Sequence, residues 1–239
     1  MNSQNKEFVV SYLTLRQMIG WIGLLMPITV RLGALIFEGI RTTDSISAYY
    51  YTGMRDVFVS TLVLVGVLLT CYRTPAWRDN AVAIVAGIAA IGIGLFPVDP
   101  KFATEILQRY PEMGQAKCYI NRGFLGYHFL FVIMFFALSF YLVYFRFDAF
   151  TPRIPTQQKL MRNKIYKVCG AFMLAAFSAI GILAITNKGA SIFWPEAVAV
   201  AAFAVAWLVK GQTILKDREP LSGSGLGSAT PSGGMSPRD

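Results

Sequence analysis

Apolar runs approaching the length of a bilayer crossing constrain this chain more than any other feature. A helix needs about 20 apolar residues to cross the hydrocarbon core, and several stretches of the 239-residue sequence come near that length. Inside lipid a backbone must satisfy its own hydrogen bonds, which leaves only helices and closed barrels. The runs are continuous and lack the alternation of barrel strands. The expected fold class is therefore an all-α integral membrane protein, a six-helix transmembrane bundle. Composition agrees. The chain is 55% hydrophobic and 15% charged, whereas a soluble domain carries about 25% charged residues.

The expected spans are about 15–37, 56–72, 80–97, 123–145, 165–186 and 192–213. They form one domain over 1–216, followed by a disordered Gly/Ser/Pro-rich tail over 217–239. The first run is too long for a signal-peptide core and lacks a cleavage site, so it is kept as a span. Thr14 and Gln17 have capping-box spacing before it, and Pro27 predicts a kink within it. Ala83/Gly87 and Ala90/Gly94 are small-residue pairs that let helices approach closely. Asp99-Pro100 reads as the start of a short helix at the membrane interface, with Phe102, Ile106 and Leu107 on one face.

Cys71, Cys118 and Cys169 have no metal-ligand spacing and no disulfide framework. The lone histidine, His128, cannot build a multi-histidine metal site from this chain alone. Haem lacks a second axial ligand, and no phosphate-binding glycine motif is present. No metal and no cofactor are expected.

Six spans place both termini on one side. That side carries fourteen basic residues and the other carries seven, with Arg31 inside the first span. The positive-inside rule therefore predicts cytoplasmic termini. The net charge of +9 then reflects topology and anionic inner lipids rather than nucleic acid. Membrane lipids are the expected partners, and a homo-oligomer is compatible with the chain.

This orientation moves the most unusual stretch, Asp44 to Asp56, to the outer face. It packs acids, hydroxyls, three consecutive tyrosines and an arginine between two apolar runs. His128 lies about one turn into span four from the same side, Glu196 in the first turn of span six, and Arg31 in the outer half of span one. An ionisable group near a helix centre costs about 2.5–3.5 kcal/mol on insertion scales and generally faces protein or water. The economical arrangement is one outer polar pocket lined by Arg31, Asp56, His128 and Glu196 and capped by the tyrosines. Each residue also has an ordinary role: Arg31 can snorkel, Glu196 can complement a helix N-terminus, and tyrosines populate membrane interfaces.

The stretch Ser45-Ile46-Ser47-Ala48-Tyr49-Tyr50-Tyr51-Thr52-Gly53-Met54-Arg55-Asp56-Val57-Phe58-Val59 resembles a hallmark of an uncharacterised family of bacterial six-span membrane proteins. Ala90 to Pro97, Arg162 to Gly170, Trp194-Pro195-Glu196 and Ala206 to Gly211 are similar to other pieces of it. The resemblance implies a six-span fold in the bacterial inner membrane and no established activity. Relatives often carry His where this chain has Tyr51. Tyr51 donates a hydrogen bond but, with a pKa near 10, is a poor base.

Three functions compete. The first is binding or transport of a lipid-like or small amphiphilic molecule at the outer leaflet. Tyr49, Tyr50, Tyr51, Phe102 and Trp194 would meet its apolar part, and Arg31, Arg55 and Glu196 its head. The second is an intramembrane hydrolase or transferase acting on lipid. There His128 is the base, Asp56 or Glu196 its orienter, and Ser45 or Ser47 the nucleophile. No nucleophile-elbow or zinc-protease motif accompanies these residues. The third is a proton or ion pathway through Arg31, Asp56, His128 and Glu196, weakened by the apolar inner halves of the spans.

Overall fold

The computed structural model describes residues 3–99, 103–109, 127–149, 156–186 and 190–215. Among these there is no strand. The helices are α1 (Ser3–Glu38), α2 (Arg55–Cys71), α3 (Trp77–Leu95), α4 (Thr104–Arg109), α5 (Tyr127–Tyr141), α6 (Gln157–Thr186) and α7 (Phe193–Lys210). A 3₁₀ segment, Ile46–Tyr51, precedes α2, and a π-helical turn, Leu142–Arg146, extends α5. Five helices are long and apolar enough to cross a membrane: Tyr12–Glu38, Trp77–Leu95, Tyr127–Arg146, Gln157–Thr186 and Phe193–Lys210. The expectations at Pro100, Phe102 and Cys118, for the start of span four at 123–126 and in the tail from 217 lie outside the described residues.

Two helices begin earlier than their apolar runs. α1 passes through the expected capping box, because nothing between Ser3 and Leu13 breaks a helix. Thr14 is therefore mid-helix, and Gln17 instead donates its amide to the Gly211 carbonyl at 2.8 Å. Pro27 lies within α1 without ending it. α6 starts at Gln157 rather than near 165, because the Thr156 hydroxyl accepts the Lys159 amide at 3.2 Å and caps it. The short helix α4 begins at Thr104, beyond Asp99-Pro100, and Ile106 packs into the core.

The chain runs up and down between two ends. One end gathers the 3₁₀ segment and the N-termini of α5 and α7, and is called the tyrosine end below. The other gathers the α2–α3 turn and the C-terminus of α7, and is called the basic end. Asn80 closes the α2–α3 turn by accepting the Thr74 amide at 2.6 Å and donating to its carbonyl at 3.0 Å. α2 and α3 then meet through glycine: a Cβ built on Gly66 would lie 2.6 Å from the Gly87 carbonyl. The expected role of Gly87 in close packing holds, with Gly66 as its counterpart. α1 meets α7 where Gly20 faces Ala204 and Leu208.

Towards the basic end the core is aromatic. Trp207 is edge-on to Tyr72 at 4.9 Å and to Phe147 at 5.1 Å between ring centres. α6 lies to one side with Val168, Phe172, Leu174 and Ile182 exposed, an apolar surface suited to lipid.

The glycine contact makes a direct prediction. Gly66→Ala should destabilise the protein by about 1–3 kcal/mol through overpacking. Gly181→Ala, with nothing within 4 Å of the new Cβ, should be neutral or better. Unfolding of both variants in detergent checks this, and equal melting would refute the close approach.

Candidate functional site

The tyrosine end is built from backbone turns held by hydroxyls. Gly39, at φ +67°, lets the chain leave α1 in a left-handed conformation. Thr43 donates to the Ser45 carbonyl at 2.6 Å, and Ser45 accepts the Ala48 amide at 3.1 Å as the N-cap of the 3₁₀ segment. Thr52 closes that segment by donating to the Tyr49 carbonyl at 2.8 Å. All six residues from Ile46 to Tyr51 are buried.

Four contacts fasten the segment to the helices. Glu196 accepts the Ile46 amide at 2.5 Å. The Ser47 hydroxyl lies 3.1 Å from His128 Nε2. The Tyr51 hydroxyl donates to the Val98 carbonyl at 2.6 Å. The Tyr49 ring packs edge-on to Phe193 at 6.3 Å. His128 Nδ1 is 2.7 Å from the Phe96 carbonyl. A carbonyl only accepts, so Nδ1 carries the proton, and Nε2 accepts from the Ser47 hydroxyl. Asp44 joins in through its backbone, its carbonyl taking the Ile192 amide at 2.7 Å.

Ser45, Ser47, Tyr49, Tyr51, His128 and Glu196 therefore do meet. Tyr50 and Arg55 form a flank: Arg55 donates to the Tyr50 hydroxyl at 2.8 Å and lies 4.5 Å over its ring. Arg31 stands at the rim, 5.0 Å over the exposed Trp194 ring and 5.5 Å over Phe193. Asp56 is exposed at the start of α2. The carboxylate expected to orient His128 is replaced by the Phe96 carbonyl, since both ring nitrogens are already engaged. The polar groups close on one another instead of lining an open four-residue pocket.

A second feature lies at the basic end. There Arg16, Arg73, Arg146, Lys159 and Lys210 line a cavity of about 320 Å³ together with Asp79. The π-helical turn helps to build it. In an uninterrupted helix Arg146 would follow Ser139, Leu142 and Val143 along the buried stripe. The wider turn, closed by Phe147 N–H to the Leu142 carbonyl at 2.9 Å, puts Phe147 in the core and leaves Arg146 at the rim, where it pairs with Asp79 at 2.6 Å. The sequence reading took these cations for topological charge only. The available signal was their placement at helix ends beside one buried acid.

Comparison with known protein families, characterised proteins and solved structures finds no match to this chain. The two ends are therefore interpreted from geometry and chemistry.

Asp44 supplies a pH prediction. Burial raises its carboxyl above the ordinary value of 3.8. A raised folded-state value means the protonated form suits the fold, so its stabilisation is complete below the unfolded value and is lost as pH rises through the folded one. Asp44→Asn should therefore melt higher than wild type at pH 7, with the gain vanishing near pH 3.5. Melting curves across pH test this; a gain that persists or grows in acid contradicts it.

Proposed function

We propose that this is a six-span protein of the bacterial inner membrane, with cytoplasmic termini, that binds or carries a lipid-like or small amphiphilic molecule at the tyrosine end. α2 would be the sixth span, and the basic excess on the side of the termini supports the orientation. The ligand's polar head reaches Ser47, His128 and Glu196 when the 46–51 segment lifts. Its apolar part lies against Tyr49, Tyr50, Tyr51 and Trp194, with Arg31 and Arg55 at the rim.

One observation carries this reading. His128 and Glu196, from two separate helices, converge on the buried six-residue segment, His128 through the Ser47 hydroxyl and Glu196 through the Ile46 amide. Closing a bundle end needs no such groups, because well-packed apolar residues often replace buried polar clusters at no loss of stability. Ionisable groups placed within membrane helices mark ligand or ion sites by default.

The Ser47–His128 hydrogen bond favours a second reading, acyl transfer. Ser47 Oγ would attack an ester carbonyl and pass its proton to His128 Nε2, and the ester C–O bond would then break, the departing alcohol taking that proton from Nε2 and leaving acyl-Ser47. It ranks second because the Ile46 and Ala48 amides, the nearby donors for an oxyanion, are held by Glu196 and Ser45.

A photoactivatable lipid analogue, applied to the purified protein in nanodiscs, tests both. Glu196→Gln and His128→Ala should each weaken labelling at the tyrosine end at least tenfold, about 1.4 kcal/mol, while the protein remains folded. Wild-type labelling in both variants sinks the binding reading. A fluorophosphonate that labels Ser47 only when His128 is present would move the acyl-transfer reading to first place.

A further inference from the structure

We propose that the basic-end cavity is a second, separate binding site, selective for a phosphate monoester group. Five cations from five different segments converge on it: Arg16 from α1, Arg73 from the α2–α3 turn, Arg146 from the π-helical turn, Lys159 from α6 and Lys210 from α7. The one carboxylate in the lining, Asp79, is committed to Arg146. Arg16, Arg73, Lys159 and Lys210 therefore share a lining whose one carboxylate is already paired.

Lys210 and Arg16 are held inward by the protein, and the exposed Arg73 is tied to the backbone at the mouth. Lys210 Nζ donates to the Phe147 carbonyl at 2.6 Å and lies 5.0 Å over that ring. Arg73 donates to the Tyr72 carbonyl at 2.9 Å. Arg16 lies 4.1 Å over the Tyr12 ring and reaches the Lys210 carbonyl at 3.3 Å. Carbonyls and rings orient these groups without cancelling their charge. A cation at a helix end that served only topology would extend to water.

An unmet donor points to a ligand. Arg16 Nε is buried and makes no hydrogen bond to a described residue. Buried donors are nearly always satisfied, by protein, by ordered water or by a bound ion. A guanidinium, as a planar fork of donors, suits a tetrahedral oxyanion. A carboxylate would answer one arginine. A phosphate monoester brings nearly two negative charges and three acceptor oxygens, which matches several converging donors. The volume of about 320 Å³ is at the lower end for a small-molecule site, so it takes a headgroup or a small metabolite rather than a polymer.

The phosphate can belong to a soluble molecule or to a lipid headgroup, and the test separates these sources. The full chain is purified in detergent and titrated with inorganic phosphate and glycerol 3-phosphate, with acetate as the competing anion. In parallel it is placed in nanodiscs of phosphatidylcholine with or without phosphatidic acid. A rise in melting temperature with the phosphate esters but not acetate assigns a soluble ligand. A rise only with phosphatidic acid assigns a lipid headgroup. The paired change Arg16→Gln and Lys210→Met should weaken the response at least tenfold. Lys210→Arg, which keeps the charge, should retain it and guards against loss through misfolding. Lys164→Gln, an exposed cation outside the cavity, should leave it unchanged. No response from wild type to any phosphate probe overturns the proposal. So does an equal response to acetate, or a loss from Lys164→Gln as large as that from the cavity pair.

Discussion

The structure depends on one constraint: helices that present apolar faces outward must meet their polar obligations elsewhere. Along the middle of the bundle the solution is close contact between backbones. Gly66 and Gly87 bring α2 and α3 together, and Gly20 brings α1 onto α7. Such contacts replace the hydrophobic drive that is missing between helices in lipid. The polar chemistry is displaced to the two ends, where the chain changes direction and backbone groups need partners.

The ends solve that problem differently. At the tyrosine end, side chains serve the backbone: Glu196 holds an amide, while Tyr51 and His128 hold carbonyls. The result is a closed cluster. At the basic end, backbone carbonyls serve side chains, holding Lys210 and Arg16 in place. The result is an open cavity with charge to spare. One end is closed on itself, whereas the other encloses a cavity.

Much of this was legible in the residues. The helical class followed from the apolar runs. The meeting of the tyrosine stretch with His128 and Glu196 followed from placing them at the same end. The starts of α1 and α6 were hidden because their first turns are polar; they are helical without being apolar. Thr156, rather than any apolar signal, marks where α6 begins. The partners of His128 were hidden for another reason. A main-chain carbonyl such as that of Phe96 leaves no trace in composition, so a carboxylate looked like the natural orienter. The cavity escaped because Arg16 and Lys210 are 194 residues apart, and scattered cations look like topology until the fold collects them.

The helix lengths themselves have a consequence for the surrounding lipid. Arg16 and Arg31 lie on α1, and Glu196 and Lys210 on α7. At 1.5 Å per residue these pairs stand only about 21–23 Å apart along their axes, less than the roughly 30 Å of a typical hydrocarbon core. Helices with such a narrow apolar belt stand nearly upright or draw the bilayer inward. In the membrane reading proposed above, α1 and α7 would favour a bilayer of short acyl chains.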